Sequence, residues 1–385
     1  MSDERRTVSP EVSDAGGPAV RPLAERLGER VARAGAITFR DWMAAALYDE
    51  HAGYYRRRGL ARWGRAGDYR TSPERTPLFA ATFARHFASL FEQLGRPRVF
   101  HVVEAGGGAG HFARGVLRTL ERDAPGAFDA LRYVFDEASE DARLRAARLL
   151  EPYAARVEFR RLEEFETPLG ACVIFSNELL DALPVHRVRA RGGRLRELYV
   201  GLEAGGGFKW VEGEPSTPRL AEHFARAGVA LEEGRTAEVC LDAEEWVARA
   251  ARLAQGGFVV TVDYGAEASE LYGAPHRRDG TLRAFSGHAF ADDVLARPGE
   301  QDITATVNWT QVREAGERAG LRTLSLERQD AFLLRAGLLE QLELEGRFAG
   351  SEAELMRLRL GAREMILPGG MASHFQVLAQ RGSGN

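Results

Sequence analysis

One segment limits the folds open to this chain more than any other. In VVEAGGGAGHF, Val102 to Phe112, an apolar run ends in an acid and turns through glycines into a helical pattern. Glycine lets the backbone of such a turn approach a ligand without a Cβ in the way, and the helix that follows offers unpaired N–H groups at its start. The spacing discriminates between ligands. Gly106, Gly108 and Gly110 make GxGxG, whereas the dinucleotide fingerprint GxGxxG would need a glycine where His111 stands. Glu104, just upstream, is placed to hold the cationic methionine part of S-adenosyl-L-methionine, a role with no counterpart in pyrophosphate binding.

The surrounding pattern agrees with that turn. From Arg98 onward short β-branched runs alternate with amphipathic stretches: RYVFDE, ARLRAARLL, VEFRRLE, ACVIFSNE and later GFVVTVDYG. This predicts an α/β fold, a Rossmann-like, mostly parallel sheet covered on both faces. A late helix near Gln311–Ala319, a strand near Leu321–Glu327 and a terminal strand HFQVLAQ would close it in the antiparallel sense, as class I methyltransferase sheets close. Pro22 to Gly95 reads as helical, with a long aromatic, glycine-rich loop before its third helix. Alternation from Val185 to Glu214, with turns at Gly192-Gly193 and Gly205–Gly207, predicts inserted antiparallel hairpins. The expected organisation is a disordered tail over 1–20, an N-terminal helical or lid region over 21–97 and the first half of the cofactor-binding core over 98–184. An inserted substrate region at 185–242 follows, then core completion over 243–385 with a substrate loop at 264–308.

Composition removes other classes. With 52 basic and 56 acidic residues mixed along the chain and a net charge of -4, there is no electrostatic case for nucleic acid. Lys209 is the only lysine, which reads as codon bias in a GC-rich bacterial genome. Cys172 and Cys240 stand alone, so neither a metal site nor a disulfide is expected. No apolar run is long enough to span a bilayer, and the chain reads as a soluble cytoplasmic protein.

Two further strand ends carry acids. RYVFDEAS supplies Asp136 and Glu137, which alternation puts on opposite sides, so one of them is expected to take the ribose hydroxyls. FSNELLDALPV places Asn177, Glu178 and Asp181 outside the carboxyl end of the fourth core strand, where reacting groups sit in open α/β sheets. Two nearby carboxylates suit a guanidinium, which stays protonated and binds them bidentately. An alcohol acceptor would favour a general base instead, with His186 the nearby choice. The plainer reading is that Asn177 caps a helix and the acids complement its dipole.

Taken in order, further segments add a resemblance: ITFRDWMAAALYDEHAGYY, GDYRTSPE, EAGGGAG, SNELLDALPVH, EGRTAEV, VDYG, GTLRAFSGH, PGEQDITATVNW and LPGGMASHFQVL. Together, from about Ile37 to Leu378, they resemble the MidA family, the mitochondrial complex I assembly methyltransferases and their bacterial relatives. The resemblance implies an S-adenosylmethionine-dependent methyltransferase acting on a protein, at arginine in the eukaryotic member. It assigns Glu104, Gly106, Gly108 and Gly110 to the cofactor loop, Glu137 to the ribose, and Asn177, Glu178 and Asp181 to the acceptor element. It also makes GDYRTSPE a loop closing over the cofactor, with Asp68, Thr71 and Ser72 as ligands. The chain departs from the family at Gly107 and His111, in EASEDAR, and at Thr306 and Asn308; the last two changes suggest a different protein substrate. The rival expectations are a small-molecule methyltransferase with a sealed aromatic cavity, and an assembly factor that binds the cofactor without chemistry.

Overall fold

The computed structural model describes residues 21–57, 76–286, 289–367 and 374–383. Its strands, in chain order, are β1 (Ile37–Thr38), β2 (Phe100–Ala105), β3 (Leu131–Asp136), β4 (Val157–Phe159), β5 (Cys172–Asn177), β6 (His186–Arg191), β7 (Arg194–Leu202), β8 (Phe208–Gly213), β9 (Thr236–Val239), β10 (Phe258–Ala266), β11 (Arg283–Ser286), β12 (Ala289–Phe290), β13 (Asp302–Thr304), β14 (Val307–Asn308), β15 (Leu321–Arg328) and β16 (Phe375–Gly382).

The main sheet runs β15-β16-β10-β5-β2-β3-β4, with β14 beside β10. Strands β10, β5, β2, β3 and β4 are parallel; β16 lies antiparallel to both β10 and β15. Strands β2, β3, β5 and β10 are largely apolar on both faces because both are covered, while β4 at the edge is partly exposed. Val102, Phe175 and Val262 face one layer, while Val103, Ile174 and Val259 face the other. On the first side the helix Pro77–Gln93 lays Phe79, Phe83 and Phe87 against the sheet, and Phe112 stacks on Phe175 with ring centroids 4.5 Å apart. Burying each such ring contributes about 1.5–3 kcal/mol. That helix starts where Thr76 accepts from the Leu78 N–H and Pro77 takes the first turn. Its apolar face is part of the main core.

A second sheet, β1-β7-β6-β9 with β8 beside β7, is antiparallel throughout. The β6–β7 hairpin turns at Gly192 and Gly193, both at positive φ (60° and 69°), as a two-residue turn of that hand requires. The N-terminal segment, read from sequence as helices and a loop, also contributes an edge strand here: Ile37 pairs with Val200 and Thr38 with Tyr199. Helices Leu23–Ala34 and Phe39–Tyr48 then cover this sheet through Leu27, Phe39, Trp42 and Met43. The N-terminal region and the insertion therefore share one core. A small sheet, β12-β11-β13, lies in the expected substrate loop.

Candidate active site

In the main sheet the chain runs outward from β2 to β3 and β4, then returns to β5 on the other side of β2. Such a reversal leaves a crevice beyond the strand ends. A cavity of about 870 Å³ occupies it, lined among others by Glu104, Gly106, Gly108, Glu137, Asn177 and Glu178. Six of the residues singled out from sequence thus meet in one place.

The glycine turn is held from below, where the N–H groups of Gly106 and Gly107 donate to the Asp136 carbonyl oxygen at 2.8 and 3.2 Å. Gly106 and Gly108 have φ of 75° and 57°, and a Cβ on Gly106 would come within 3.0 Å of Leu179 Cδ1. Gly110, at φ 85°, starts the helix His111–Asp123 and packs on Ala146. It lies outside the cavity lining, so its expected part in cofactor contact becomes a packing role.

Glu104 is 5% exposed and accepts a hydrogen bond from the Tyr133 hydroxyl at 2.7 Å. Burial, opposed by that bond and assisted by the nearby Glu137, pushes its pKa up to about 8. Glu137 is also buried, which raises its pKa, while two backbone donors pull the other way: Ser139 N–H to Oε1 at 2.7 Å and Gly108 N–H to Oε2 at 2.9 Å. Asp136 points elsewhere. Its carboxylate takes Arg161 Nε at 2.6 Å and the Leu162 N–H at 3.1 Å, although it also borders the cavity. The alternation argument is therefore visible in the partners.

At the end of β5, Glu178 has φ 51°, a left-handed conformation that costs a non-glycine residue about 1–2 kcal/mol. Its N–H donates to the Val262 carbonyl at 3.0 Å, and Asn177 Nδ2 donates to its Oε1 at 3.1 Å. Asp181 lies behind it, buried and outside the lining. Burial pushes its pKa up to about 6, with the neighbouring Tyr264 hydroxyl pulling the other way. Beside it Asp263 is fully buried; burial and the charges of Asp181 and Glu178 drive its pKa well above the carboxylate range. The reading in which Glu178 and Asp181 grip one group together thus needs revision, because only Glu178 faces the cavity. His186 pairs through Nδ1 with Glu197 at 2.8 Å inside the second sheet, off the cavity as well.

Several lining residues were not picked out from sequence. Arg40, Ala44 and Tyr48 repeat every fourth residue on one helix face, opposite Asp242, Glu245 and Arg249 on the helix Leu241–Leu253. Arg40 clasps Asp242 bidentately at 2.8 and 3.2 Å, joining the two helices. Tyr48 donates to the Ala182 carbonyl at 2.9 Å and stacks on Tyr55, whose hydroxyl donates to Asp302 at 2.6 Å. The four-residue spacing in RDWMAAALY was the available signal. Thr306 and Asn308, expected to alter the substrate, do not line the cavity. Asn308 caps the helix Trp309–Arg318 and bonds Tyr272, while the Thr306 N–H reaches Thr281. Asp68, Thr71 and Ser72 lie outside the described residues.

The donor set fits an adenosine that carries a cationic amino acid. A buried carboxyl that can give up its proton faces the place of an ammonium group, a second acid stands at the adjacent strand end, and side-chain-free backbone runs between them. The volume is within the usual range for ligand pockets, ~300–1,000 Å³. Together the switch-point crevice, the GxGxG turn and the two acids define a cofactor site of the class I methyltransferase type.

Known proteins agree. Residues 82–326 match the model of a family of S-adenosyl-L-methionine-dependent methyltransferases. The chain is 31% identical to a Burkholderia thailandensis protein solved with S-adenosyl-homocysteine bound, with a TM-score of 0.82 over 93% of this chain and 91% of that one. It is 28% identical to the Drosophila melanogaster mitochondrial protein arginine methyltransferase NDUFAF7 homolog, covering 96% of this chain and 87% of the relative. Human mitochondrial NDUFAF7 is 24% identical, over 94% and 83%. The chain belongs to this family of S-adenosylmethionine-dependent methyltransferases, and the resemblance read from the ordered motifs is borne out.

Proposed function

We propose that this methyltransferase acts on an arginine nitrogen of a protein substrate. The observation that carries the reading is Glu178, held at positive φ at the carboxyl end of β5 with its side chain in the cofactor cavity beside Asn177. S-adenosylmethionine supplies a methyl group on a sulfonium that leaves as a neutral thioether, so the protein's task is chiefly to position the acceptor. A carboxylate at Glu178 pairs with a guanidinium and draws its positive charge toward the bonded nitrogens, leaving the third free to attack. The guanidinium gives up its proton as the new C–N bond forms, with the carboxylate side of the cavity receiving it. Two further features support a peptide over a sealed metabolite: the acceptor side carries Asn177, Glu178, Arg40 and Asp242, and the similar proteins from fly and human are named protein arginine methyltransferases.

The test is to incubate the purified protein with labelled S-adenosylmethionine and lysate from its own deletion strain, then identify labelled species by mass spectrometry. Methylarginine in a protein supports the reading. Label confined to a small molecule, with arginine-containing proteins unmodified, sinks it in favour of a metabolite acceptor; no transfer to any species favours a cofactor-binding assembly factor.

A further inference from the structure

The turn that carries Glu178 is anchored at both ends, and one anchor is a side chain from another strand. Asp263, on β10, is fully buried, and its Oδ2 accepts the N–H groups of Leu180 at 3.0 Å and Asp181 at 3.3 Å. Its Oδ1 accepts the N–H of Tyr264 at 2.8 Å. Meanwhile the Glu178 N–H is fixed on the Val262 carbonyl, one residue earlier on the same strand, and the Asp181 carbonyl accepts from the Ala305 N–H at 2.9 Å. Chain length alone does not require a left-handed residue here. Holding the N–H of 178 and those of 180 and 181 on adjacent residues of one strand forces a tight reversal, and Glu178 is the residue that takes the positive φ.

We propose that Asp263 is a positioning residue for methyl transfer: by gripping the Leu180 and Asp181 N–H groups it imposes the strained turn that aims Glu178 into the cavity. What the turn uses is an acceptor oxygen rather than a negative charge. Ionised Asp263 would stand beside the carboxylates of Asp181 and Glu178, and burial adds to that penalty, whereas a neutral carboxyl or amide oxygen can still accept both N–H bonds of the turn, the amide giving up only the Tyr264 N–H contact within β10. An alanine leaves both donors buried and unpaired, which relaxation of the turn would relieve. The structural claim stands on these bonds alone; its consequence for catalysis rests on Glu178 holding the acceptor.

The full-length protein with Asp263→Ala and with Asp263→Asn tests this. Crystals grown with S-adenosyl-homocysteine should show Glu178 leaving positive φ in the alanine variant and keeping it in the asparagine variant. Transfer to deletion-strain lysate should fall at least about tenfold through kcat with alanine, because the orienting group is displaced. Asparagine should recover most of that loss, and S-adenosyl-homocysteine affinity should stay within about threefold in both, at the low end of what a single lost hydrogen bond costs. Glu178 unmoved in the alanine variant overturns the proposal, as does an asparagine variant as impaired as alanine. Should alanine prevent folding, hydrogen exchange on the unaltered protein decides. The Leu180 and Asp181 amides belong to no helix or strand, yet should exchange as slowly as those of β10; fast exchange refutes the grip. Positive φ lost as expected, with no arginine methylated by the unaltered protein, would sink only the acceptor assignment.

Discussion

Gly107 lies against the ring of Phe135 so closely that a Cβ built on it would stand 2.3 Å from Cε2. Contact at that distance forces one partner to move, and Phe135 is fully buried on β3 between β2 and β4. Gly107→Ala is therefore expected to cost about 1–3 kcal/mol as overpacking. Part of the cost should appear as weaker S-adenosyl-homocysteine binding, because Gly106 and Gly108 flank the residue. Adding Phe135→Leu should recover some of it. A double-mutant cycle by denaturation and calorimetry with coupling near zero would show that the ring does not constrain the turn.

Glu104 gives the site a pH dependence. Its carboxyl is pushed up to about 8 chiefly by burial, so below that pH the free protein holds it largely protonated. A ligand ammonium prefers the ionised form, and binding must then release the proton. Affinity for S-adenosyl-homocysteine should climb by at most about tenfold per pH unit up to about 8 and level off above it. Glu104→Gln should bind more weakly and lose this slope. Comparing the two proteins cancels the titration of the ligand's own amine. Equal slopes in calorimetry from pH 6 to 9 would remove Glu104 from the cation's neighbourhood.

Both oxygens of Glu137 accept backbone N–H groups, one from Gly108 and one from Ser139, leaving lone pairs for ribose hydroxyls. Glu137→Ala should cost about 2–4 kcal/mol of cofactor affinity, since charge-assisted bonds contribute about 1.5–3 each and the glycine turn also loses its tie. Asp136→Asn should act mainly on stability through Arg161 and Leu162. A loss below about 0.5 kcal/mol for Glu137→Ala would transfer the ribose role away from it.

For Glu178, two substitutions separate strain from chemistry. Glu178→Gln keeps the shape, so cofactor affinity should persist while methyl transfer falls on the order of a hundredfold. Glu178→Gly removes the Cβ penalty at positive φ and should raise stability by about 1 kcal/mol while losing transfer too. A glycine variant that melts lower than the unaltered protein would argue that the left-handed backbone is unstrained.

The cofactor half of this site was legible because its requirements are local. A strand end, glycines at fixed spacing and an acid one strand over are all written along the chain, and the fold brings Glu104, Gly106, Gly108 and Glu137 to one crevice. The acceptor half was less so. Asp181 lies three residues from Glu178 and looked equivalent, but the turn at φ 51° sends one side chain to the cavity and the other to Tyr264. Thr306 and Asn308 looked like specificity changes because variation was visible and capping was not. The pairing of Ile37–Thr38 with β7 had no signal in a two-residue strand whose partner lies more than 160 residues away.

That pairing also sets an order of events at the ribosome. Helices Leu23–Ala34 and Phe39–Tyr48 are made before the partners they pack on, and their core is completed only when Val185, Val200, Ala284, Leu295, Ile303 and Ala305 have followed. Until then the core around Phe39, Trp42 and Met43 is incomplete, a long wait at ~5–20 residues per second. This nascent segment should accordingly bind a hydrophobic-peptide chaperone such as a ribosome-associated holdase, and release it fully only once residues near 305 have cleared the exit tunnel.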